Sequence, residues 1–172
     1  MKKPSDTKPS HSPPELTFFT DRDLGKIVPR ILRENGLTVE RYCDHFQEKN
    51  VSDVEWITYA ARNRWIGISH DNNIRRDPIT VNAIMKESGR LFIVRGVLTG
   101  REKAQLVLGA LKSISHIVAK HQDEAFIAVV KRETTTGGVV HAEAQVRLTG
   151  KQWTPRMPFG TVLRDDEEEL LP

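Results

Sequence analysis

Acidic side chains follow short apolar segments at three separate places in this chain. Asp21 follows residues 16–20 (LTFFT), Asp44 follows 38–43 (TVERYC) and Asp71 follows 65–69 (WIGIS). Carboxylates that meet at one place repel one another and raise one another's pKa, so such crowding favours a bound cation. Hard divalent ions such as Mg²⁺ and Mn²⁺ prefer oxygen ligands and share them with phosphate groups. Carboxylates of this kind are what metal-assisted hydrolysis of a phosphodiester needs.

The elements that must position these carboxylates alternate along the chain. Apolar runs at 16–20, 65–69 and 90–94 are typical of buried strands, and 38–43 predicts a weaker one. Helical spacing and helix-start signals separate them, and 125–131 with 139–148 predicts a closing pair of strands. The predicted helices begin near residue 28 and near residue 52, and then span 78–88 and 100–121. This order predicts an α/β fold with a mostly parallel central sheet covered by helices on both faces.

The predicted sheet brings the acidic residues to one edge. Functional sites of open parallel sheets form outside the carboxyl ends of the strands. Asp53 opens the helix after the second strand, which must start at that same edge for the chain to return. We therefore expect four carboxylates along one edge: Asp21, Asp44, Asp53 and Asp71.

Composition limits the classes of protein that this chain can belong to. Its 172 residues fit one domain, and 38% hydrophobic against 28% charged residues favours a soluble globular protein. One cysteine, Cys43, excludes an internal disulfide framework and a Cys-rich zinc module. No apolar run approaches the roughly 20 residues that span a bilayer, and no secretory signal is recognisable. These features predict a cytoplasmic protein without membrane association.

Both ends of the chain differ from its centre. Residues 1–15 are rich in Pro, Ser and Lys, and 164–172 (RDDEEELLP) hold five acidic residues against one Arg. We expect flexible tails at 1–15 and 164–172 around a domain at 16–163. The domain is then more basic than the net charge of +3 suggests. The acidic tail either solubilises the protein or screens a basic surface until a partner or nucleic acid displaces it.

The spacing of the acidic residues resembles a known family. The segments FFTDRDLGKIVPRILRENGLTVERYCDHF (18–46) and SDVEWITYAARNRWIGISHD (52–71) resemble PIN-domain proteins, and among these the VapC-type toxins of bacterial toxin–antitoxin pairs. The shared pattern is an Asp after the first strand, an Asp past the second, an Asp-x-x-Trp helix start and a strand that runs into a Ser-x-Asp turn. The likeness covers residues 17–95 and implies a PIN-like three-layer α/β/α sandwich.

The resemblance also implies a function. It implies a Mg²⁺- or Mn²⁺-dependent endoribonuclease with catalytic Asp21, Asp53 and Asp71, and with Asp44 as a fourth metal ligand. The implied partners are an RNA substrate, a cognate antitoxin protein and, as in many members, a second copy of the chain. Many PIN nucleases place another acid shortly after the third-strand Asp, whereas Asn72 and Asn73 stand here. Either Asp77 takes that role or the site holds one ion.

Several of these acidic residues also have a structural interpretation. Asp21 and Asp23 both precede a helix, and Asp23 lies nearer to its start, which favours Asp23 as the cap and Asp21 as a ligand. Asp71 is also suited to an Asx turn. The pattern Ser52-x-x-Glu55 fits a capping box, which makes Glu55 a structural residue.

Basic residues near the same edge are Lys26, Arg75 and Arg76. A phosphate backbone needs such cations, because carboxylates alone would repel it, so we predict that these three contact the substrate. The alternative is that these three residues belong to a solvated loop and helix surface without a role in binding. Cys43 lies in a predicted strand and is expected to be buried.

Two other functions remain open on the residues alone. A non-catalytic PIN-like domain would keep the fold for contacts with protein or RNA. A receiver-type signalling module would use Asp71 as phospho-acceptor and Lys131 as a cation beside the phosphate. Receivers normally have two adjacent acids after the first strand, whereas Asp21 and Asp23 are separated.

Overall fold

The computed structural model describes residues 16–47, 50–134 and 140–153. The predicted tails, 1–15 and 164–172, lie outside the described residues, as do residues 154–163 of the predicted domain.

Six strands form one sheet in the order β2-β1-β3-β4-β5-β6. Strands β1 to β5 are parallel, and β6 runs antiparallel to β5. The mostly parallel sheet predicted from the alternating pattern is therefore confirmed. The strands are β1 (Thr17–Thr20), β2 (Thr38–Arg41), β3 (Ile66–Ser69), β4 (Arg90–Val94), β5 (Phe126–Thr134) and β6 (Val140–Thr149).

Helices cover both faces of the sheet. They are α1 (Ile27–Glu34), α2 (Tyr42–Phe46), α3 (Asp53–Arg62), α4 (Pro78–Lys86), α5 (Gly100–Gly109) and α6 (Leu111–Lys120). Short 3₁₀ helices at Arg22–Leu24 and Ile74–Arg76 follow the ends of β1 and β3. Among the residues described, no helix combines the length and the hydropathy required to cross a membrane.

Two apolar clusters hold the three layers together. Strand residues alternate between them, as period-2 side chains must: Phe18 belongs to one cluster and Phe19 to the other. Buried residues of α1, α5 and α6 complete the first cluster, and those of α3 and α4 complete the second. The predicted three-layer α/β/α sandwich is confirmed, and the carboxyl ends of five parallel strands lie at one edge.

The close approach of α3 to the sheet depends on a glycine. A Cβ at Gly67 in β3 would lie 2.9 Å from Cδ1 of Leu91 and 3.4 Å from the ring of Trp56. Trp56 is 1% exposed, and its ring packs directly against β3 at this position. Gly67 thereby leaves room for the Leu91 side chain beside the ring of Trp56, on the helix that begins at Asp53.

The second strand is shorter than predicted. It ends at Arg41, and Tyr42 begins α2. The helical turn directs the ring of Tyr42 into the core, where it is 3% exposed, and leaves Cys43 exposed. The prediction that Cys43 is buried is therefore wrong, because it assumed the alternation of a strand.

The helix predicted at 100–121 is two helices that meet at Ala110. Gly109 ends α5 where β6 approaches, and a Cβ there would lie 2.9 Å from Cβ of Ala142. Val107, Ile114 and Val118 on these helices are buried within the monomer. Their apolar spacing therefore reflects packing on the sheet.

Candidate active site

Asp21 is a buried carboxylic acid at the end of β1. Its backbone N–H donates to the carbonyl of Ile68 at 3.0 Å, which holds it beside β3. Its side chain accepts from the N–H of Arg22 at 2.5 Å and from the hydroxyl of Ser69 at 2.9 Å. The first of these bonds caps the 3₁₀ helix at Arg22–Leu24. Asp21 thus caps this 3₁₀ helix, whereas α1, whose cap was predicted at Asp23, has Lys26 at that position and no side-chain cap. Asp21 is 8% exposed at the predicted edge.

Ser69 joins three acidic residues through one hydroxyl. Its Oγ lies 2.9 Å from Oδ2 of Asp21 and 3.4 Å from Oδ2 of Asp23, and it accepts from the N–H of Asp71 at 3.0 Å. Ser69 is fully buried, so these are its polar surroundings in the folded chain. The ends of β1 and β3 therefore meet at this hydroxyl, and Asp21 and Asp71 lie on the same side of the molecule.

Asp23 turns from the 3₁₀ helix toward β3 rather than capping α1. Its Oδ2 accepts from the backbone N–H of His70 at 2.8 Å. The ring of His70 donates from Nδ1 to the carbonyl of Val94 at 2.7 Å, which fixes the turn after β3 to the end of β4. The pKa of Asp23 is raised, because burial outweighs the opposing effects of the His70 N–H and of the charges of His70 and Lys103.

Sequence reasoning missed Asp23 as a member of this group. The available signal was its spacing from Asp21, since one intervening residue of a 3₁₀ turn leaves both carboxyl groups within reach of Ser69. Sequence alone did not distinguish that role from helix capping.

Asp53 reaches the same region from the first turn of α3. Ser52 and Glu55 form a capping box, so the structural interpretation of Glu55 is confirmed. Asp53 itself accepts from Nε1 of Trp56 at 3.0 Å. Its negative charge helps to raise the pKa of Asp21. Asp53 is therefore close enough to Asp21 for the two carboxylates to repel.

The pKa of Asp21 is raised from 3.8 to about 7. Burial is the largest cause, followed by the charge of Asp23, and Asp53 adds a smaller contribution in the same direction. The hydrogen bonds from Ser69 and Arg22 act against these effects without cancelling them. The site thus concentrates negative charge that its own hydrogen bonds do not fully stabilise, which is the condition that a bound cation relieves.

Asp71 lies at the same edge but directs its carboxylate elsewhere. Its Oδ1 accepts from the N–H of Asn73 at 2.7 Å, the geometry of an Asx turn. Asp77, the proposed replacement for a further acid, accepts from the N–H groups of Ile79 and Thr80 and caps α4. Asp71 is therefore linked to Ser69 and the other aspartates only through its backbone N–H. Asp77 forms its hydrogen bonds within α4 and none with these residues.

Asp44 is the one predicted ligand that the described structure does not bring into this group. It lies on α2 and forms ion pairs with Arg41 and Arg33. Those hydrogen bonds and charges lower its pKa. The shortening of β2 explains the difference, because Asp44 lies within a helix rather than directly beyond a strand end.

Four guanidinium groups form what we call the arginine cluster: Arg75, Arg76, Arg95 and Arg147. Burial, followed by the charges of the other three, lowers the pKa of Arg75. Arg75 donates from Nε to Oδ1 of Asn72 at 2.7 Å, directly after the Asp71 turn. The cluster is therefore next to the acidic edge and extends away from it.

Two members of this cluster were not predicted. Arg95 follows β4 directly, so its position at the carboxyl edge was readable from the strand assignment. Arg147 lies in β6 where the pairing with β5 shifts between Ile127 and Ala128. Such an irregularity redirects a side chain and is not visible in the sequence.

The remaining predicted cations have different surroundings. Lys26 is exposed in the turn before α1. Lys131, which a receiver module would place near a phosphate, is paired with Glu133. This pairing gives no support to the receiver alternative.

The donor chemistry of the edge fits a hard divalent cation, but the side chains do not form a closed cage. Asp21, Asp23 and Asp53 offer carboxylate oxygens, and Ser69 offers a hydroxyl. Across the described parts of the chain, no three His, Cys, Asp or Glu side chains are placed to hold a metal together. Mg²⁺ is commonly held by one or two carboxylates with water and substrate phosphates completing its shell, and an open edge of this kind suits that mode.

Comparisons with known proteins agree with this architecture. Residues 16–96 match the model of the PIN-like domain family. The chain is 33% identical over 103 residues to the candidate ribonuclease VapC45 of Mycobacterium tuberculosis, a match that covers 57% of this chain and 75% of that protein. No solved structure matches the chain significantly.

Proposed function

This chain belongs to the PIN-like domain family and is related to its VapC-type members, and on that basis we propose that it is a metal-dependent endoribonuclease that acts as the toxin of a toxin–antitoxin pair. The relative VapC45 carries the name of a candidate ribonuclease. The substrate would be cellular RNA, and the reaction would be hydrolysis of its phosphodiester bonds in the cytoplasm.

The observation that carries this proposal is the buried carboxyl of Asp21. Its pKa is raised to about 7 by burial, Asp23 and Asp53, beside a hydroxyl that three acidic residues share. Keeping such a group at a strand end is costly for stability unless a cation binds there. A structural role alone would be met by the neutral amide of an Asn.

Asp21, with Asp53 or Asp23, would hold Mg²⁺ or Mn²⁺. The bound ion would lower the pKa of a water molecule and stabilise negative charge on the attacking and leaving oxygens. Ser69 keeps the carboxyl of Asp21 oriented, and the N–H of His70 keeps that of Asp23 oriented. Asp71 is a further ligand on the family pattern, and it would reach the ion only by leaving its bond to the N–H of Asn73.

The arginine cluster would bind the RNA backbone beside the cleaved bond. Guanidinium groups bind phosphate oxygens with two parallel hydrogen bonds, and they offset the repulsion between phosphates and the acidic edge. Lys26 would contribute a further cation from the turn before α1. A cognate antitoxin would block this edge, for example by inserting an arginine among the carboxylates.

Cleavage of a labelled single-stranded RNA tests the proposal. We expect cleavage with Mg²⁺ or Mn²⁺, none with EDTA, and a loss of at least 100-fold in Asp21→Asn. Asp44→Asn is the matched control, because it removes an acidic residue that Arg41 and Arg33 already neutralise. Wild-type cleavage that persists in EDTA, or that survives Asp21→Asn unchanged, would reject the metal site.

A non-catalytic binding domain is the second candidate. The observation in its favour is that the described residues form no closed cluster of three metal-binding side chains. It predicts RNA or protein binding that is equal in EDTA and in Mg²⁺, with no cleavage in either.

A further inference from the structure

A large cleft lies at the edge of the sheet opposite the aspartates. It has a volume of about 720 Å³ and lies between α6 and the starts of β1, β2 and β3. Half-buried apolar side chains surround it: Leu16, Leu37, Trp65 and Leu111. This volume is within the range of ~300–1,000 Å³ typical of ligand pockets. The cleft therefore has room for several apolar side chains from another segment.

Two arginines give the rim of this cleft a positive charge. Arg90, at the start of β4, donates to the carbonyl of Arg64, and both residues line the cleft. In the part of the chain that the structure describes, neither guanidinium has an ion pair with a carboxylate. The rim thus suits an acidic occupant whose apolar side chains enter the cleft.

The chain itself emerges at this edge after β6. Because β6 is antiparallel, its last residue, Thr149, pairs with Phe126 at the start of β5. The N–H of Gly150 then donates to the carbonyl of Ala125 at 3.1 Å, and Lys151 pairs with Glu124. Trp153 packs against the cluster that α3 and α4 complete, and its Nε1 is buried without an acceptor among the described residues. Trp153 therefore lies at the same edge of the sheet as the cleft but on the opposite face, because α6, which borders the cleft, belongs to the other cluster.

The segment that follows has the length and composition to fill the cleft. From β5 to β1 the path crosses three strand spacings, which is ~14 Å, and passing from one face to the other adds ~10 Å at right angles, which makes a straight distance of ~17 Å. The six steps from Trp153 to Phe159 reach ~19 Å at the ~3.1 Å per residue of an extended chain, so the sequence after Trp153 is long enough. Apolar Phe159, Val162 and Leu163 come next, and the acidic run 165–169 (DDEEE) follows directly.

We propose that the chain's own C-terminal segment, 154–172, docks in this cleft, with Phe159, Val162 and Leu163 against its apolar wall and residues 165–169 beside Arg64 and Arg90. The N-terminal segment 1–15 fits poorly, because it has three lysines and almost no apolar side chain. A second copy also fits poorly. The exposed large apolar residues, Ile27, Tyr59, Ile79 and Val97, do not line the cleft, so it lacks the broad apolar rim of a dimer interface.

Disulfide trapping in the full-length chain tests this docking. In a Cys43→Ser background, Val162→Cys is combined with Ser115→Cys, an exposed position on α6 that lines the cleft. The matched control combines Val162→Cys with Arg101→Cys, an exposed position on α5 at the opposite edge. Under mild oxidation we expect an intramolecular crosslink at least fivefold more abundant in the first pair. Equal crosslinking of both pairs, no crosslink, or only covalent dimers would overturn the proposal.

Hydrogen exchange provides a second readout that does not depend on introduced cysteines. The full-length double substitution Phe159→Asp with Leu163→Asp should undock the segment while the described residues stay folded. We expect amides of 111–122 and 36–38 to exchange at least threefold faster than in wild type. Unchanged exchange at both places would contradict docking. Neither measurement involves RNA cleavage, so each is independent of the proposed nuclease activity.

Discussion

Oγ of Ser69 lies 2.9 Å from Oδ2 of Asp21, although 48 positions separate the two residues in the chain. The parallel pairing of β1 with β3 brings their carboxyl ends together. The same hydroxyl accepts from the N–H of Asp71. One buried hydroxyl therefore connects the two strand ends on which the proposed site depends.

Replacing Ser69 with Ala should damage the site more than the core. It leaves the N–H of Asp71 without its acceptor and Oδ2 of Asp21 without the Ser69 donor, which costs about 1–3 kcal/mol of stability when such groups stay buried. Because the Ser69 bond lowers the pKa of Asp21, its loss should raise that pKa further. We expect the acidic limb of the pH–rate profile to move to higher pH.

Ser69→Thr is the matched control, since it keeps the hydroxyl. Chemical denaturation measures the stability, and RNA cleavage between pH 5 and 9 measures the profile. If Ser69→Ala and Ser69→Thr gave the same profile as wild type, the hydroxyl would have no part in holding Asp21.

Asp21 should make the metal-free protein less stable as the pH rises. Its pKa is about 7 in the folded chain against the ordinary 3.8 of an aspartate, so the folded state binds the proton more tightly than the unfolded state. This contribution to stability is complete below about pH 4, declines as the pH rises toward 7, and is absent above it. Asp21→Asn does not titrate and should gain about 2–4 kcal/mol relative to wild type between pH 4 and pH 8.

Urea denaturation in EDTA at several pH values measures this difference. Asp123→Asn serves as the control, because Asp123 is an exposed residue in the turn after α6. A constant difference between wild type and Asp21→Asn from pH 4 to pH 8 would show that Asp21 titrates as it does in the unfolded chain.

The mostly parallel sheet and the edge of the site were predictable because buried parallel strands are short, apolar and separated by helices. Asp21, Asp53 and Asp71 follow from that order, since the residue after a parallel strand or at the start of a returning helix must lie at the carboxyl edge. Where the chain departed from regular alternation, as at Tyr42, the prediction failed and Asp44 was assigned to the wrong surroundings.

The roles of individual side chains at the edge could be assigned only from the three-dimensional structure. Asp23 and Asp21 are two residues apart, and only the direction of the 3₁₀ turn decides which one caps it and which one reaches His70. Arg147 joins the arginine cluster from a strand more than 70 positions away from Arg75, through an irregular pairing of β5 and β6.

Arg95 should contribute to RNA affinity through charge. We expect Arg95→Gln to weaken binding about three- to tenfold at low salt and to reduce the slope of log affinity against log salt by about 0.7–1, as loss of one phosphate contact does. Fluorescence anisotropy with a single-stranded RNA, in the Asp21→Asn background that prevents cleavage, measures both quantities.

The control for this charge effect is Arg30→Gln, which removes an exposed arginine paired with Glu34 on α1. Equal losses of affinity in the two variants would indicate a general effect of net charge. They would remove the arginine cluster from the proposed RNA path.

Gly67 should couple the packing of the sheet to the site. In Gly67→Ala the new Cβ would lie 2.9 Å from Cδ1 of Leu91, so the buried Leu91 side chain must shift, while the ring of Trp56 at 3.4 Å stays at the limit of ordinary contact. Overpacking of this kind costs about 1–3 kcal/mol. Because Nε1 of Trp56 donates to Asp53, a shift of Leu91 that displaces Trp56 would also move that carboxylate. We expect a lower urea midpoint together with a weaker apparent affinity for Mn²⁺ in calorimetry.

Gly150→Ala, where the added Cβ meets no atom within 4 Å, should change neither quantity. A Gly67→Ala protein that loses stability but binds Mn²⁺ as wild type does would separate the packing of Trp56 from the position of Asp53.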